Sequence, residues 1–122
     1  MATLTEDFHA GAFIVSEANG HRSRESVTIA SGQNLKAGAV LGKITASGKY
    51  AAYDNAATDG TETAAAVLWD AVDASGGDKP GAIIARDAEV ATAALVFAAG
   101  QDSTAQTAAL ADLKAVGIIA RS

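Results

Sequence analysis

The 122-residue chain has no cysteine. Disulfides, thiolate nucleophiles and cysteine-ligated metals are therefore excluded. Histidine is nearly as scarce, with only His9 and His21, both near the N-terminus. A general base must be fixed within hydrogen-bond reach of the proton it takes, and a segment without sustained periodicity is a poor place for one. These two side chains fit solvent-facing or partner-contacting roles better. Aromatic residues make up 5% of the chain, and there is a single proline. Large anchors are few, and much of the 49% apolar fraction is alanine. Alanine offers little area to bury, at roughly 25 cal/mol per Å². A core of this kind gains from burial between subunits, so oligomerisation is expected.

Positive charge is also in short supply. The formal net charge is -5 and the isoelectric point is about 4.8. Such a chain repels phosphate backbones, so no nucleic-acid partner is expected. The closest basic cluster, Arg22 and Arg24, is followed at once by Glu25. Met1 to Glu6 has neither a basic start nor an apolar stretch, so no secretory leader is expected. The longest clean apolar run, Ala93 to Ala99, is far shorter than the roughly 20 residues that span a bilayer. No membrane partner is expected, and synthesis in the cytoplasm is.

What is present reads as β-structure with tight turns, of a length suited to one domain. Residues 1–26 stand apart as an extended arm, with Phe13, Ile14 and Val15 as a short β-prone run and Asn19-Gly20 as a turn signal. Such an arm cannot offset its own ordering entropy and needs a partner or the domain body to hold it. Residues 27–122 form the β-rich domain. Strands are expected at Val27 to Ile29, Val40 to Thr45, Tyr50 to Tyr53, Ala64 to Val72, Ala82 to Arg86 and Leu95 to Phe97. The turn Ala46-Ser47-Gly48-Lys49 joins the second to the third. Asp54 to Gly60 reads as a polar loop, and Asp73 to Gly81, with Gly76-Gly77 and Pro80, as another. One helix is signalled by Ser103-Thr104-Ala105-Gln106, a capping box with Ser103 as N-cap. Leu110, Leu113 and Val116 follow at helical spacing. Lys114 suits the last turn, and Gly117 the position just past the end. Ile118-Ile119 then reads as a closing strand.

The usual chemical constellations are missing. Gly76-Gly77 lacks the frame and the strand-to-helix context of a phosphate loop, and there is no nucleophile elbow. Asp54 to Gly60 superficially resembles a calcium loop. Counted from Asp54, however, Ala56 falls where the third-position ligand is needed and Asp59 where the glycine belongs. Asp73 and Asp78 have no further carboxylate at ligand spacing. Asp70 with Asp73, or Asp87 with Glu89, could in principle pair as glycosidase carboxylates, but solvated turn positions suit them better. No catalytic, cofactor or metal residue is assigned, and no cofactor is expected. Trp69 reads as an anchor, either of the core or of a subunit interface.

Four stretches are similar to the lambda-type phage head decoration protein family: GAFIVSEANGHRSRESVTIASG, LKAGAVLGKITASGKYAAYDNAATDGTETAAAVLWDAVDA, AIIARDAEV and LADLKAVGIIAR. Together they cover nearly the whole chain, and the long pattern AGAVLGKITASGKY followed by DGTETAAAVL is more specific than any short motif. The resemblance implies a mainly β, α+β fold of the beta-clip type, with one C-terminal helix and an extended N-terminal arm. It implies a non-enzymatic homotrimer, made in the host bacterium, that binds the outer surface of the expanded head at threefold sites and stabilises it. The implied partner is the major capsid protein, to which the arm adds a strand. Carried over to this chain, Phe13, Ile14 and Val15 are the strand-adding run, with Phe8, His9, Asn19, Gly20 and His21 as flanking contacts. Two further classes remain open beside it. One is a carbohydrate- or peptide-binding surface module, disfavoured by the missing leader. The other is an enzyme on a similar fold, disfavoured by the missing phosphate motif and the lack of histidine beyond the arm.

Overall fold

Strand dominates and a single α-helix comes late in the computed structural model, which describes residues 11, 13–17 and 23–121. The strands are β1 (Ile14–Glu17), β2 (Arg24–Ile29), β3 (Asn34–Leu35), β4 (Val40–Lys43), β5 (Tyr50–Ala52), β6 (Ala64–Leu68), β7 (Val72–Asp73), β8 (Lys79–Ile84), β9 (Ala88–Ala91) and β10 (Ile118–Arg121). The helix α1 spans Ser103–Ala115, and Thr92–Ala94 makes a 3-10 turn. Five strands close a barrel in the order β2-β5-β4-β6-β8. A three-stranded sheet, β1-β9-β10, carries α1 against it, and β3 and β7 form a small separate pair.

Successive side chains of a strand point to opposite faces, and three barrel strands use this to serve two cores. Leu41, Leu68 and Ile83 join Ile29, Ala39, Tyr50 and Ala66 in one cluster. Their neighbours Val40, Val67 and Ile84 join Phe13, Tyr53, Val90, Leu113 and Ile118 in the other. All six residues of these pairs are essentially inaccessible. Strands buried on both faces read as continuous apolar runs and not as alternating ones, which is why Ala64 to Leu68 carries no polar residue.

Several expectations are corrected. Residues 24–26 are not arm: they pair with Ile84, Ile83 and Ala82 at the start of β2. The strand expected over Ala64 to Val72 breaks after Leu68, and Asp70 turns back to accept a hydrogen bond from the Ala71 amide (2.8 Å). The loop expected to run to Gly81 ends earlier, because β8 starts at Lys79 and includes Pro80. That is tolerated because β8 has only β2 beside it there, β6 joining at Ile83 and Ile84. Leu95 to Phe97 is not a strand. Val96 makes one isolated bridge to Ala39.

The helix is where the spacing placed it, with a different cap and a different face. Asp102, not Ser103, is the N-cap, its carboxylate accepting from the Ala105 amide at 2.9 Å. Ser103 is already helical, and the Gln106 side chain donates to the Gln101 carbonyl (3.0 Å). The buried residues are Ala105, Ala109 and Leu113, while Val116 is 41% exposed. Alanines hold the inner face because α1 lies close to the barrel, where the Tyr53 hydroxyl donates to the Ala105 carbonyl (2.9 Å). Gly117, with φ of 89°, ends the helix as expected.

The cap assignment is directly testable. Asp102→Ala should cost about 1 kcal/mol in a urea titration, whereas Ser103→Ala should stay within about 0.5 kcal/mol. The reverse order would restore Ser103 as the cap.

Candidate binding surface

Of the residues assigned to a partner contact, Phe13, Ile14, Val15 and Trp69 are described. Phe8, His9, Asn19, Gly20 and His21 lie outside the described residues. The run Phe13–Val15 does not act as one unit. Phe13 is 1% exposed and sits in the core between the barrel and the three-stranded sheet. It is therefore an anchor within the chain and not a contact for a partner. Its carbonyl accepts from the Ala91 amide at 2.6 Å, drawing the segment onto β9. Ile14 is half-buried against the same core.

Val15 is the residue that the backbone turns outward. Ile14 faces Val90 and Ser16 faces Glu89, so Val15 has no opposite number and forms a bulge. A bulge on an edge strand re-aims its side chain and interrupts the ladder. Val15 is accordingly 56% exposed, the more exposed of the two large apolar side chains, with Val116, found on the surface among the described residues.

The sheet itself is short of partners. β9 lies in the middle, antiparallel to β1 and parallel to β10. Among the described residues, each outer strand has only β9 as a neighbour. Such edges present a row of backbone donors and acceptors to any extended segment. The three strands are tied across their surface by Glu89, which accepts from the Ser16 hydroxyl on β1 (3.2 Å) and from Arg121 Nε on β10 (2.7 Å). Both contacts hold the Glu89 carboxyl below its usual range, Arg121 contributing most. Nothing in the sequence marked Glu89 or Arg121 as partners. They are 32 positions apart, and only the parallel register of β9 and β10 brings them together.

Trp69 lies just past the end of β6, half-buried against the second core cluster. The Arg24 guanidinium stands 3.8 Å from its ring centroid. The same guanidinium donates to both oxygens of Glu17, at 3.0 and 2.5 Å. Trp69 is thus covered by residues of its own chain.

The loop carboxylates weighed for catalysis or calcium are occupied with turns. Asp73 accepts from the Ser75 amide and hydroxyl (3.0 and 2.6 Å), and Asp59 from the Thr61 amide and hydroxyl (3.0 and 2.6 Å). Asp54 accepts from the Ala56 amide (3.0 Å). These are the local bonds by which aspartate builds turns. Among the described residues no three histidine, aspartate or glutamate side chains converge as metal ligands would. A shallow apolar groove bounded by Leu35, Ala39, Val96 and Phe97 carries Lys36 and Gln33 but no carboxylate or histidine.

Four surface carboxylates are held below their ordinary range: Asp59 by the Thr61 hydroxyl, Asp73 by the Ser75 hydroxyl, Asp78 by Lys49, and Glu89 by Arg121. A depressed folded-state pKa stabilises the fold above the unfolded value, and that stability is lost as pH falls through the folded value. With ordinary values of 3.8 for aspartate and 4.5 for glutamate, the melting temperature should decline below about pH 4.5. Glu89→Gln should lower it at neutral pH and make the acid decline shallower. Thermal scans at a series of pH values check this, and an unchanged acid slope in the variant would remove Glu89 from the account.

Two comparisons bear on what this surface meets. A search of curated proteins gave no significant match. One family model matches residues 3–118, that of the bacteriophage lambda head decoration protein D.

Proposed function

The chain belongs to the lambda head decoration protein D family, the match running over nearly its whole length, and on that premise we propose that it is a non-enzymatic cement for a phage head. Membership of this family points to capsid decoration and to a place on the virion. The finer reading is that the protein is made in the bacterial cytoplasm and forms a homotrimer. The trimer binds the major capsid protein on the outer surface of the expanded head at threefold sites, and stabilises the shell there. The family match is the observation that carries this reading, and the open-edged sheet with Val15 turned outward supports it.

The physical mechanism needs no reacting group. A trimer engages one threefold site at three points, so the second and third contacts form at high effective concentration and individually weak contacts suffice. A ligand that binds only the expanded state stabilises that state by mass action, by roughly 2.7 kcal/mol per site at 100 times its dissociation constant. Repeated over a shell, this resists rupture. An arm that adds a strand to a capsid subunit would draw affinity from backbone hydrogen bonds and selectivity from alternate side chains. With Phe13 committed to the core, the proposed contacts are Val15 and the half-buried Ile14, together with Phe8 and His9 upstream, flanked by Asn19, Gly20 and His21.

The test mixes purified protein with expanded, undecorated heads and follows binding and head melting temperature. Trimer formation is measured separately by sedimentation. Point variants are preferable to deletion through residue 20, which would also strip Phe13 from the core. Wild type should bind saturably and raise the heads' melting temperature. Val15→Asp and the double variant Phe8→Ala, His9→Ala should each weaken binding by about tenfold or more, equivalent to about 1.4 kcal/mol. A folded, trimeric wild type that does not bind heads would overturn the proposal and favour a carbohydrate- or peptide-binding module instead.

A further inference from the structure

Strand β1 is a weak ladder on its own. It has three Cα partners on β9, broken by the bulge at Val15, and no strand on its other side among the described residues. Few buried contacts and exposed backbone bonds mark a segment that opens locally. Yet Arg24 of the barrel holds Glu17 at its far end, and Trp69, next to β6, holds Gly11 ahead of its start.

Ahead of the strand is Gly11. Its N–H donates to the Trp69 carbonyl at 2.9 Å. Its φ is +70°, and a Cβ placed there would come within 2.5 Å of the Trp69 ring. The glycine backbone therefore lies directly against the indole, and a side chain would be excluded by both conformation and space. At the strand's far end is Glu17, which Arg24 holds through two parallel hydrogen bonds while its guanidinium stacks on the same indole. Trp69 is in turn fixed to the barrel, its amide donating to the Ala82 carbonyl of β8 at 2.9 Å.

We infer that Trp69 and Arg24 form a clasp that straps Gly11 and strand β1 to the barrel, and that this clasp, more than the β1–β9 ladder, controls whether β1 opens. A guanidinium suits the role because its planar fork satisfies a carboxylate bidentately while its face lies on an aromatic ring. A lysine could supply only a point charge. The clasp ties any contact made through Val15 to the barrel wall. That consequence rests on the capsid reading, but the clasp belongs to the free protein and is tested without capsids.

The measurement is hydrogen exchange by mass spectrometry on the full-length protein, paired with tryptophan emission. Trp69 is the only tryptophan in the chain, so its emission reports the clasp directly. Arg24→Met keeps the stem and removes the guanidinium. Arg24→Lys keeps the charge without the fork. From the usual strengths of an exposed cation–π contact and a surface ion pair, exchange of the 14–17 amides should rise roughly 5- to 10-fold in Arg24→Met. The rise should be smaller in Arg24→Lys. Peptides covering β4 and β6 should be unchanged, and the Trp69 emission should shift. Gly11→Ala, which forces the other contact off the indole, should loosen the same amides and provides the readout if Arg24→Met does not fold. Unchanged exchange at 14–17 would show that Phe13 alone holds the strand, and equal acceleration in β4 and β6 would make Arg24 a general support of the barrel. Either result would overturn the clasp.

Discussion

Three strands of the barrel, β4, β6 and β8, have to be apolar on both sides where they lie between the two cores, and the rest of the molecule is arranged around that demand. Val40 with Leu41, Val67 with Leu68 and Ile83 with Ile84 each send one side chain into the barrel interior and the next toward the helix and the outer sheet. With only three phenylalanines, two tyrosines and one tryptophan in the chain, no single anchor can fill either space. Adjacent branched aliphatics do it instead, and alanines fill the closest approaches. The outer sheet β1-β9-β10 and α1 then exist because the outer faces of these same strands would otherwise be wet. Phe13, Val90, Leu113 and Ile118 cover them. A polar residue at any of the six wall positions would put an unpartnered group against one core or the other, which is among the most costly kinds of substitution.

This arrangement explains which parts of the fold were legible in the sequence. Short-range signals were reliable. Glycine and polar clusters placed the hairpin from Val40 to Tyr53, and helical spacing with a following glycine placed α1. What failed was contrast. In α1 the buried face is Ala105, Ala109 and Leu113, and alanine is too weak a marker for periodicity to distinguish an inner from an outer alanine. The pattern of Leu110, Leu113 and Val116 looked stronger, although Val116 faces solvent. The capping box misled for a related reason. Asp102 and Ser103 are both good caps by type, and only the geometry of the Ala105 amide decides between them.

The surface assigned to a partner was less legible still, because it is built from long-range pairings. Ile14 meets Val90, and Val90 meets Ala120. No local pattern encodes a strand order of β1-β9-β10. An apolar run near the N-terminus, Phe13 to Val15, reads naturally as something kept for a partner. The structure divides the run by function: Phe13 anchors the segment inside, Ile14 lies between, and the bulge delivers Val15 outside. The clasp was hidden in the same way. Arg24 looked like a solvated charge beside Glu25, and its actual partners, Glu17 and Trp69, come from β1 and from the end of β6.

A chain with so little concentrated chemistry can still perform a demanding mechanical task, and the distribution of its interactions suits one. The ion pairs Glu17 with Arg24, Glu25 with Arg86, Lys49 with Asp78 and Glu89 with Arg121 lie at the surface, where each contributes little to stability by itself. Their effect is directional: Glu17 with Arg24 and Glu89 with Arg121 tie one strand to another, and the other two pairs hold strand-flanking loop residues to distant parts of the chain. An edge segment that is anchored by a buried phenylalanine, held at Gly11 and Glu17 and open on one side among the described residues is better suited to transmit load from a bound partner than a freely hanging tail. Load on Val15 would pass through Phe13, and through Gly11 and Glu17 to Trp69 and Arg24, into a barrel in which β4, β6 and β8 each bury residues on both faces. The proposed cementing role requires this continuity from surface contact to core, and packing and strand order supply it in the described residues.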